Sequence, residues 1–262
     1  MRYKLADDAK PQLTLLLIAT VITIALWFIP YLGVVTYPIR LFVTFIHEGS
    51  HVLAALLTGG SVQSLTISAD GSGVVYSAPS GLIGALITSS AGYLGSTAFG
   101  VLLLLLIRKA VSAKNVLFGS AAFIALMTLF FGILSPMWNA FSLQVGISSI
   151  IFTVVAGTIL TAGLFGLGKF ASERTANFAV AFLAIQCLLN AISDLKTLFF
   201  INAPIGGMDL QNDATNMANA TGIPSFAWVL IWIGISIVMI SVGLRFYAIS
   251  QKSKQHDLPF ED

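Results

Sequence analysis

The chain has 262 residues, of which 57% are hydrophobic and 9% are charged, and its mean hydropathy is +0.93. Soluble domains carry about 25% charged residues, so this composition excludes an ordinary soluble fold and indicates an integral membrane protein. The net charge of +2 is small and no basic run is interleaved with aromatic residues, which argues against nucleic acid as a partner. The single cysteine excludes a disulfide framework and a cysteine-based zinc site.

Apolar runs with short connections follow one another along the chain, so we expect a single transmembrane domain over residues 1–262. The predicted fold class is an all-α polytopic bundle of about six to seven transmembrane helices, with a short β-hairpin after the helix that carries a metal motif. The expected spans are 13–30, 37–57, 82–107, 116–134, 146–167, 176–201 and 225–247. The first run is long and has no small-residue cleavage site before Tyr31, so we interpret it as a retained helix and not a signal peptide.

Basic residues predict the orientation in the lipid bilayer. The clusters Arg108–Lys114, Lys169–Arg174 and Arg245–Lys254 fall on one side if each later segment crosses once. That side should be cytoplasmic in a multi-pass protein of the cell membrane. The basic N-terminal segment argues for the opposite placement if all seven segments cross, so the orientation of the N terminus stays open.

The stretch between the second and third runs alternates in polarity. Polar and apolar residues alternate over 62–68, Asp70-Gly71 follows, and 74–77 returns to β-branched and aromatic residues. Alternation around an Asp-Gly pair predicts a β-hairpin. An open strand edge cannot face lipid, so the hairpin should pack against protein or lie at the interface, where it could pair with an extended peptide. A plain solvated connector is the alternative.

The second run contains His47-Glu48-Gly49-Ser50-His51, which holds two of the three histidines of the chain. In a helix, His47 and His51 lie one turn apart on the same face, so their imidazoles can converge on one ion. Zinc suits this pair because it binds imidazole nitrogen at about 2.0–2.1 Å and, in catalytic sites, takes three protein ligands and leaves a position for water. Glu48 cannot easily share that face, so we expect it to act on the water as general base. A chance match is the alternative, although such polar groups in a lipid-embedded helix are costly without a function.

The third zinc ligand must come from a short inventory of acidic residues. Asp194 lies well inside the apolar run 176–201, where an unpaired carboxylate is a functional-site candidate. We therefore expect Asp194 to join His47 and His51 on zinc. An ion pair of Asp194 with Lys196 or Lys169 near a membrane face is the alternative.

Two further polar residues fit the same site. Asp213 is the second candidate for the third ligand, although the ordinary role of an aspartate after a polar loop is to cap a helix N-terminus. Asn190 lies one helical turn before Asp194 and could hydrogen-bond a substrate backbone or the site water. As a lone amide it could equally make an interhelical contact.

These features resemble the site-2 protease family of intramembrane zinc metallopeptidases, in its compact bacterial branch. The closest matches are the segment from His47 to Gly60 and the run Ser89–Gly95. The resemblance implies zinc-dependent hydrolysis of a membrane protein or peptide substrate within or near the bilayer. It also implies two histidine ligands, the adjacent glutamate as base and an aspartate as third ligand. The sequence departs from the family at one point, because the family's aspartate is followed by glycine whereas Asp194 is followed by Leu195.

Two other functions fit parts of the pattern. A metal-binding transporter could also place two histidines and an aspartate in mid-membrane, but it has no need of Glu48 beside the first ligand, and no repeated half is visible in the sequence. A catalytically inactive pseudo-protease that acts as a binding or regulatory protein would keep the same residues.

Overall fold

The computed structural model describes residues 10–28, 33–109, 111–139, 145–202 and 212–248. The helices within them are α1 (Lys10–Phe28), α2 (Gly33–Leu57), α3 (Gly81–Arg108), α4 (Ala113–Met127), α5 (Ser135–Trp138), α6 (Ile147–Phe170), α7 (Glu173–Asn202), α8 (Asp213–Thr221) and α9 (Ser225–Ala248). The strands are β1 (Ser61–Ile67) and β2 (Gly73–Ala78). A π-helical segment, Thr128–Leu134, joins α4 to α5, so that these three pieces follow one another without a break.

Within the described residues, six helices are long and apolar enough to cross a membrane. They are Thr36–Leu57, Gly81–Arg108, Ala113–Trp138, Ile147–Phe170, Glu173–Asn202 and Ser225–Tyr247. In addition, α1 is a helix of 19 residues that begins before the first predicted run and covers most of it. The predicted class, an all-α multi-pass membrane protein with a small hairpin, is confirmed.

Two of the basic turns lie side by side at one end of the bundle. Lys114 Nζ at the start of α4 is 3.5 Å from Glu173 Oε1 at the start of α7. The last part of α9 also lies beside the last part of α3, because a Cβ on Gly243 would be 2.7 Å from Val101 Cγ1. The first two basic clusters therefore lie at the same end of the bundle, and α9 runs beside the last part of α3 just before the third cluster begins.

Small residues on α3 let its backbone approach α2 and α7 closely. A Cβ on Gly84 would be 3.3 Å from the Thr58 hydroxyl oxygen, and a Cβ on Gly100 would be 2.8 Å from the Leu188 side chain. A methyl group at Gly100 would force α3 and α7 to shift, and one at Gly84 would press against Thr58. The interior of the bundle is consequently built around α3.

The predicted hairpin is present and packs along α2. β1 and β2 are antiparallel, with Leu65 opposite Val75 and Ile67 opposite Gly73. Near its tip, the Thr44 hydroxyl on α2 donates to Gly71 O at 2.9 Å. Four consecutive residues of β1, 64–67, are buried. The segment is thus an integral layer of the protein and not a solvated connector.

Side-chain hydroxyl groups cover the edge of β1 that faces away from β2. Thr153 Oγ1 on α6 accepts the Ile67 N–H at 2.6 Å. The Ser135 hydroxyl on α5 donates to Val62 O at 2.8 Å and to Gln63 O at 2.9 Å. These contacts satisfy backbone groups that have no strand partner, because an unpaired buried N–H or C=O is unfavourable.

Candidate metal centre and catalytic site

The two histidines of the motif lie on one face of α2, as the helical spacing predicts. Their Nε2 atoms are 3.2 Å apart. The opposite side of the same helix is held in the apolar core, where Phe45, Ile46 and Val52 are fully or almost fully buried. The apolar residues of α2 therefore fix the rotation of the helix that presents both imidazoles to one point.

A backbone carbonyl fixes the tautomer of the neutral His51 imidazole. Its Nδ1 atom lies 2.6 Å from Thr88 O on α3. A carbonyl oxygen can only accept, so Nδ1 carries the proton and donates it. In the neutral ring the lone pair is then on Nε2, where it can bind a metal ion, which is the usual arrangement of a ligating histidine.

Asp213 supplies the third group of the cluster. Its Oδ2 atom lies 3.5 Å from His47 Nε2 and 3.3 Å from His51 Nε2. Among the described residues, these three side chains form the group of ligand atoms that all lie within 4.8 Å of one another. Asp194, the ligand expected from sequence, is not in this group. The geometry favours Asp213, the alternative aspartate, as third ligand.

The local sequence around Asp213 explains how its carboxylate is aimed at the histidines. Asn212 is the N-cap of α8, and its side chain accepts from Ala214 N at 3.0 Å and Thr215 N at 3.1 Å. Asp213 is therefore the first helical residue and not the cap, which leaves its carboxylate free. Burial alone would raise the pKa of Asp213, but electrostatic interaction with the neighbouring His51 and His47 side chains holds that pKa below its usual range.

The short helix α8 packs against α3 and α9. Ala214 and Met217 are buried in a small apolar cluster with residues of α7 and α9. Trp228 Nε1 on α9 donates to Thr221 Oγ1 at 3.0 Å, and Gly222 ends the helix with a φ of 74°. The asparagine cap and the terminal glycine are the sequence signals that could have predicted this helix within the polar loop.

The spacing of the three ligand atoms fits a tetrahedral zinc ion. Ligands at 2.0–2.1 Å from a tetrahedral centre lie about 3.3 Å from one another. The three separations here are 3.2, 3.3 and 3.5 Å. Opposite them, a Cβ on Gly92 of α3 would collide with Nε2 of both histidines, so the glycine leaves open the space that the ion would occupy. The residues present fit the metal.

Aromatic residues support the site from the side of α3. The Tyr93 ring meets the His47 ring edge to face, with centroids 4.7 Å apart, and stacks on Trp232 at 5.4 Å. Trp232 Nε1 in turn donates to Ser90 Oγ at 3.1 Å. Tyr93 is thus held between Trp232 and His47, and its packing restricts the His47 imidazole to the orientation that faces the cluster.

Glu48 lies beside the cluster but contributes no atom to it. The side chain is 6% exposed. It is packed against Gly73 at the start of β2, where an added Cβ would be 2.5–2.7 Å from the carboxyl group. Glu48, His47, His51 and Asp213 all line one cavity of about 930 Å³. A carboxylate at this position can exchange protons with water and substrate in the cavity.

Every residue of β2 from Gly73 to Ser77 also lines this cavity. Its other walls include parts of α2, α3, α7 and α8. One strand of the hairpin therefore borders the same space as the candidate metal ligands. A cavity of this size with convergent polar groups is typical of an active site.

Comparison with known proteins agrees with this geometry. A family model described as Peptidase M50B-like matches residues 17–243. The chain belongs to this family. The M50B-like peptidases are part of the site-2 protease family of intramembrane metallopeptidases. No curated protein and no solved structure matches the chain.

The other residues expected at this M50B-like site are found in the wall of the cavity. Asp194 and Asn190 both line it from α7. Within the part of the chain that the structure describes, Asp194 forms no ion pair, so neither Lys196 nor Lys169 neutralises it. Arg40 on α2, which was not singled out from sequence, also lines the cavity. The cavity thus presents charged groups of both signs besides the metal cluster.

Proposed function

We propose that this M50B-like protein is a zinc-dependent endopeptidase of the cell membrane that hydrolyses peptide bonds of membrane-associated substrates. In this proposal His47, His51 and Asp213 hold the zinc ion, and Glu48 is the general base. The supporting observation is the meeting of this ligand cluster and Glu48 in one cavity.

Zinc at such a site supplies Lewis acidity, which makes water acidic near neutral pH and polarises a carbonyl oxygen. The protein's own groups then handle the protons. Glu48 takes a proton from the attacking water and delivers it to the leaving amine, as general base and then general acid. Its place between the histidines and Gly73 of β2 puts the carboxylate next to the expected position of the scissile bond.

The outer edge of β2 is the expected binding place for the substrate backbone. In an antiparallel pair, successive residues alternate between pointing their N–H and C=O toward the partner strand and away from it. Ile67 points its N–H away from β2, toward Thr153. Its partner Gly73 therefore points its backbone groups away from β1, and Val75, two residues on, does the same. Both residues line the cavity.

Strand addition also answers the main difficulty of cutting a membrane helix. The carbonyl groups of such a helix are hidden in internal hydrogen bonds, so a segment must unwind before it can be hydrolysed. Unwinding in an apolar surrounding exposes unpaired backbone groups. The backbone groups of Gly73 and Val75 that point away from β1 offer the unwound segment new partners. Ser135 and Thr153 cover the opposite edge of the hairpin, which leaves β2 as the edge for this role among the described residues.

The proposal is tested with purified full-length protein in lipid nanodiscs. The probe is a labelled leucine-alanine transmembrane peptide with a central Gly-Pro break that favours unwinding. We expect about one zinc per chain and cleavage near the break that stops on chelation and returns on zinc addition. Zinc binding with no cleavage would instead identify a pseudo-protease, and transport of zinc across a vesicle membrane would identify a carrier.

A further inference from the structure

A chain of three polar side chains joins α1 to the wall of the cavity. Gln186 Nε2 on α7 donates to Thr23 Oγ1 on α1 at 2.8 Å, and Asn190 Nδ2 donates to Gln186 Oε1 at 3.3 Å. Thr23 and Gln186 are 1% and 4% exposed. Polar groups buried between membrane helices are expensive and commonly serve a function.

Thr23 determines which side chain donates and which accepts in each of these hydrogen bonds. The Thr23 hydroxyl donates to Ala19 O at 2.9 Å, and a backbone carbonyl can only accept. The single hydroxyl proton is thereby used, so Thr23 can only accept from Gln186. Gln186 must then turn its amide nitrogen to Thr23 and its oxygen to Asn190. Asn190 must therefore donate to that oxygen from its own amide nitrogen.

The last member therefore has a defined orientation at the cavity. With its nitrogen engaged by Gln186, the Asn190 side chain keeps a carbonyl oxygen for which the described residues offer no hydrogen-bond partner. Asn190 lines the same cavity as β2. A peptide added to the edge of β2 presents alternate backbone N–H groups on its other edge. An amide oxygen is a suitable acceptor for one of them.

We propose that Thr23 and Gln186 are positioning residues that hold the Asn190 carboxamide with its oxygen toward the cavity. There it accepts one backbone N–H of an extended peptide. The inference rests on the proposed function in so far as the cavity binds peptide. It gives α1 a specific role, because this helix supplies the Thr23 hydroxyl, which determines the orientation of the Gln186 and Asn190 amides.

The test measures binding and does not require turnover. Zinc-free full-length protein in nanodiscs is titrated with the labelled leucine-alanine peptide and with a series in which one amide at a time is replaced by an ester. An ester lacks the N–H, so the position that donates to Asn190 should bind about fivefold more weakly in the unchanged protein. The variants are Thr23→Val, Gln186→Leu and Asn190→Ala.

All three variants should bind the all-amide peptide more weakly than the unchanged protein does. In each of them, the ester at the position that donates to Asn190 should cause no further loss of affinity (no ester penalty). Esters at the positions that pair with β2 should still weaken binding. Thr20→Val is the matched control, because the Thr20 hydroxyl donates to Leu16 O at 2.9 Å on the same helix and makes no hydrogen bond to the described part of another helix. It should behave like the unchanged protein.

An unaltered ester penalty in Thr23→Val, a near-isosteric change, would overturn the inference, and so would failure of the unchanged protein to bind the peptide. A variant that weakens binding equally at every position would show a purely structural role and would also contradict it. Cleavage by zinc-loaded protein is scored separately. If the variants change the effect of the ester on binding as expected but the zinc-loaded protein does not cleave the peptide, this inference stands and the proposed peptidase activity is refuted.

Discussion

Oδ2 of Asp213 lies 3.3 Å from Nε2 of His51, although the two residues belong to helices separated by most of the chain. Asp194 lies elsewhere in the cavity wall. It was the candidate from sequence because a charged carboxylate costs more free energy in an apolar helix than Asp213 does in a polar segment. This relationship favours Asp213 over Asp194 as the third metal ligand. It also shows that the short helix α8 is part of the candidate metal centre.

The first prediction follows from this distance. Asp213→Ala should weaken zinc binding by about 100-fold or more, since even outer partners of metal ligands contribute 10–100-fold. Asp194→Ala should keep zinc at the level of the unchanged protein. Metal content and affinity of both purified variants, with His51→Ala as reference for a lost ligand, measure the difference. Full zinc in Asp213→Ala together with loss in Asp194→Ala would restore the assignment expected from sequence.

Gly92→Ala should abolish zinc binding without altering any candidate ligand, because the added methyl group would collide with both imidazole nitrogens. Gly163→Ala is the matched control, since a Cβ there has open space within 4 Å in another helix. Both proteins are assayed for zinc content and for helix content by circular dichroism. A Gly92→Ala protein that is folded and carries a full equivalent of zinc would mean that the ion lies elsewhere.

Glu48→Gln should leave zinc binding intact and lower the cleavage rate by about 10²-fold or more, the usual contribution of a general base. Glutamine keeps the volume of the side chain beside Gly73 and removes only its ability to take a proton. Zinc content and the rate of peptide cleavage are measured on the same preparation. Loss of zinc would make Glu48 a ligand instead of a base.

Val75→Pro should weaken peptide binding by about fivefold or more, because proline removes an N–H that points away from β1 on a strand that lines the cavity. Proline is tolerated on the free side of an edge strand, so the hairpin and the metal site should remain. Val75→Ala, which keeps the N–H, controls for the lost side chain. Equal affinity of the alanine and proline variants for the labelled peptide would exclude strand addition at this position.

Features that depend on neighbouring residues were predictable from sequence. The helical period alone places His47 and His51 on one face, and the alternation around Asp70-Gly71 alone predicts the hairpin. The spans follow from long apolar runs, since lipid leaves helices as the only way for such segments to satisfy their backbone groups. The starts and ends of the predicted spans differ from the helices by a few residues, because hydropathy does not register caps.

Features that depend on distant residues were decided by the tertiary structure. Hydropathy assigns Asp213 to a polar loop, so only the packing of α8 on α3 and α9 reveals that its carboxylate reaches the histidines. The choice between the two edges of the hairpin likewise depends on Thr153 and Ser135, which lie far along the chain. The sequence determined the candidate catalytic motif, because the residues of that motif are close together along the chain. The fold decided which aspartate and which strand edge meet it, because those contacts form only when separate helices pack together.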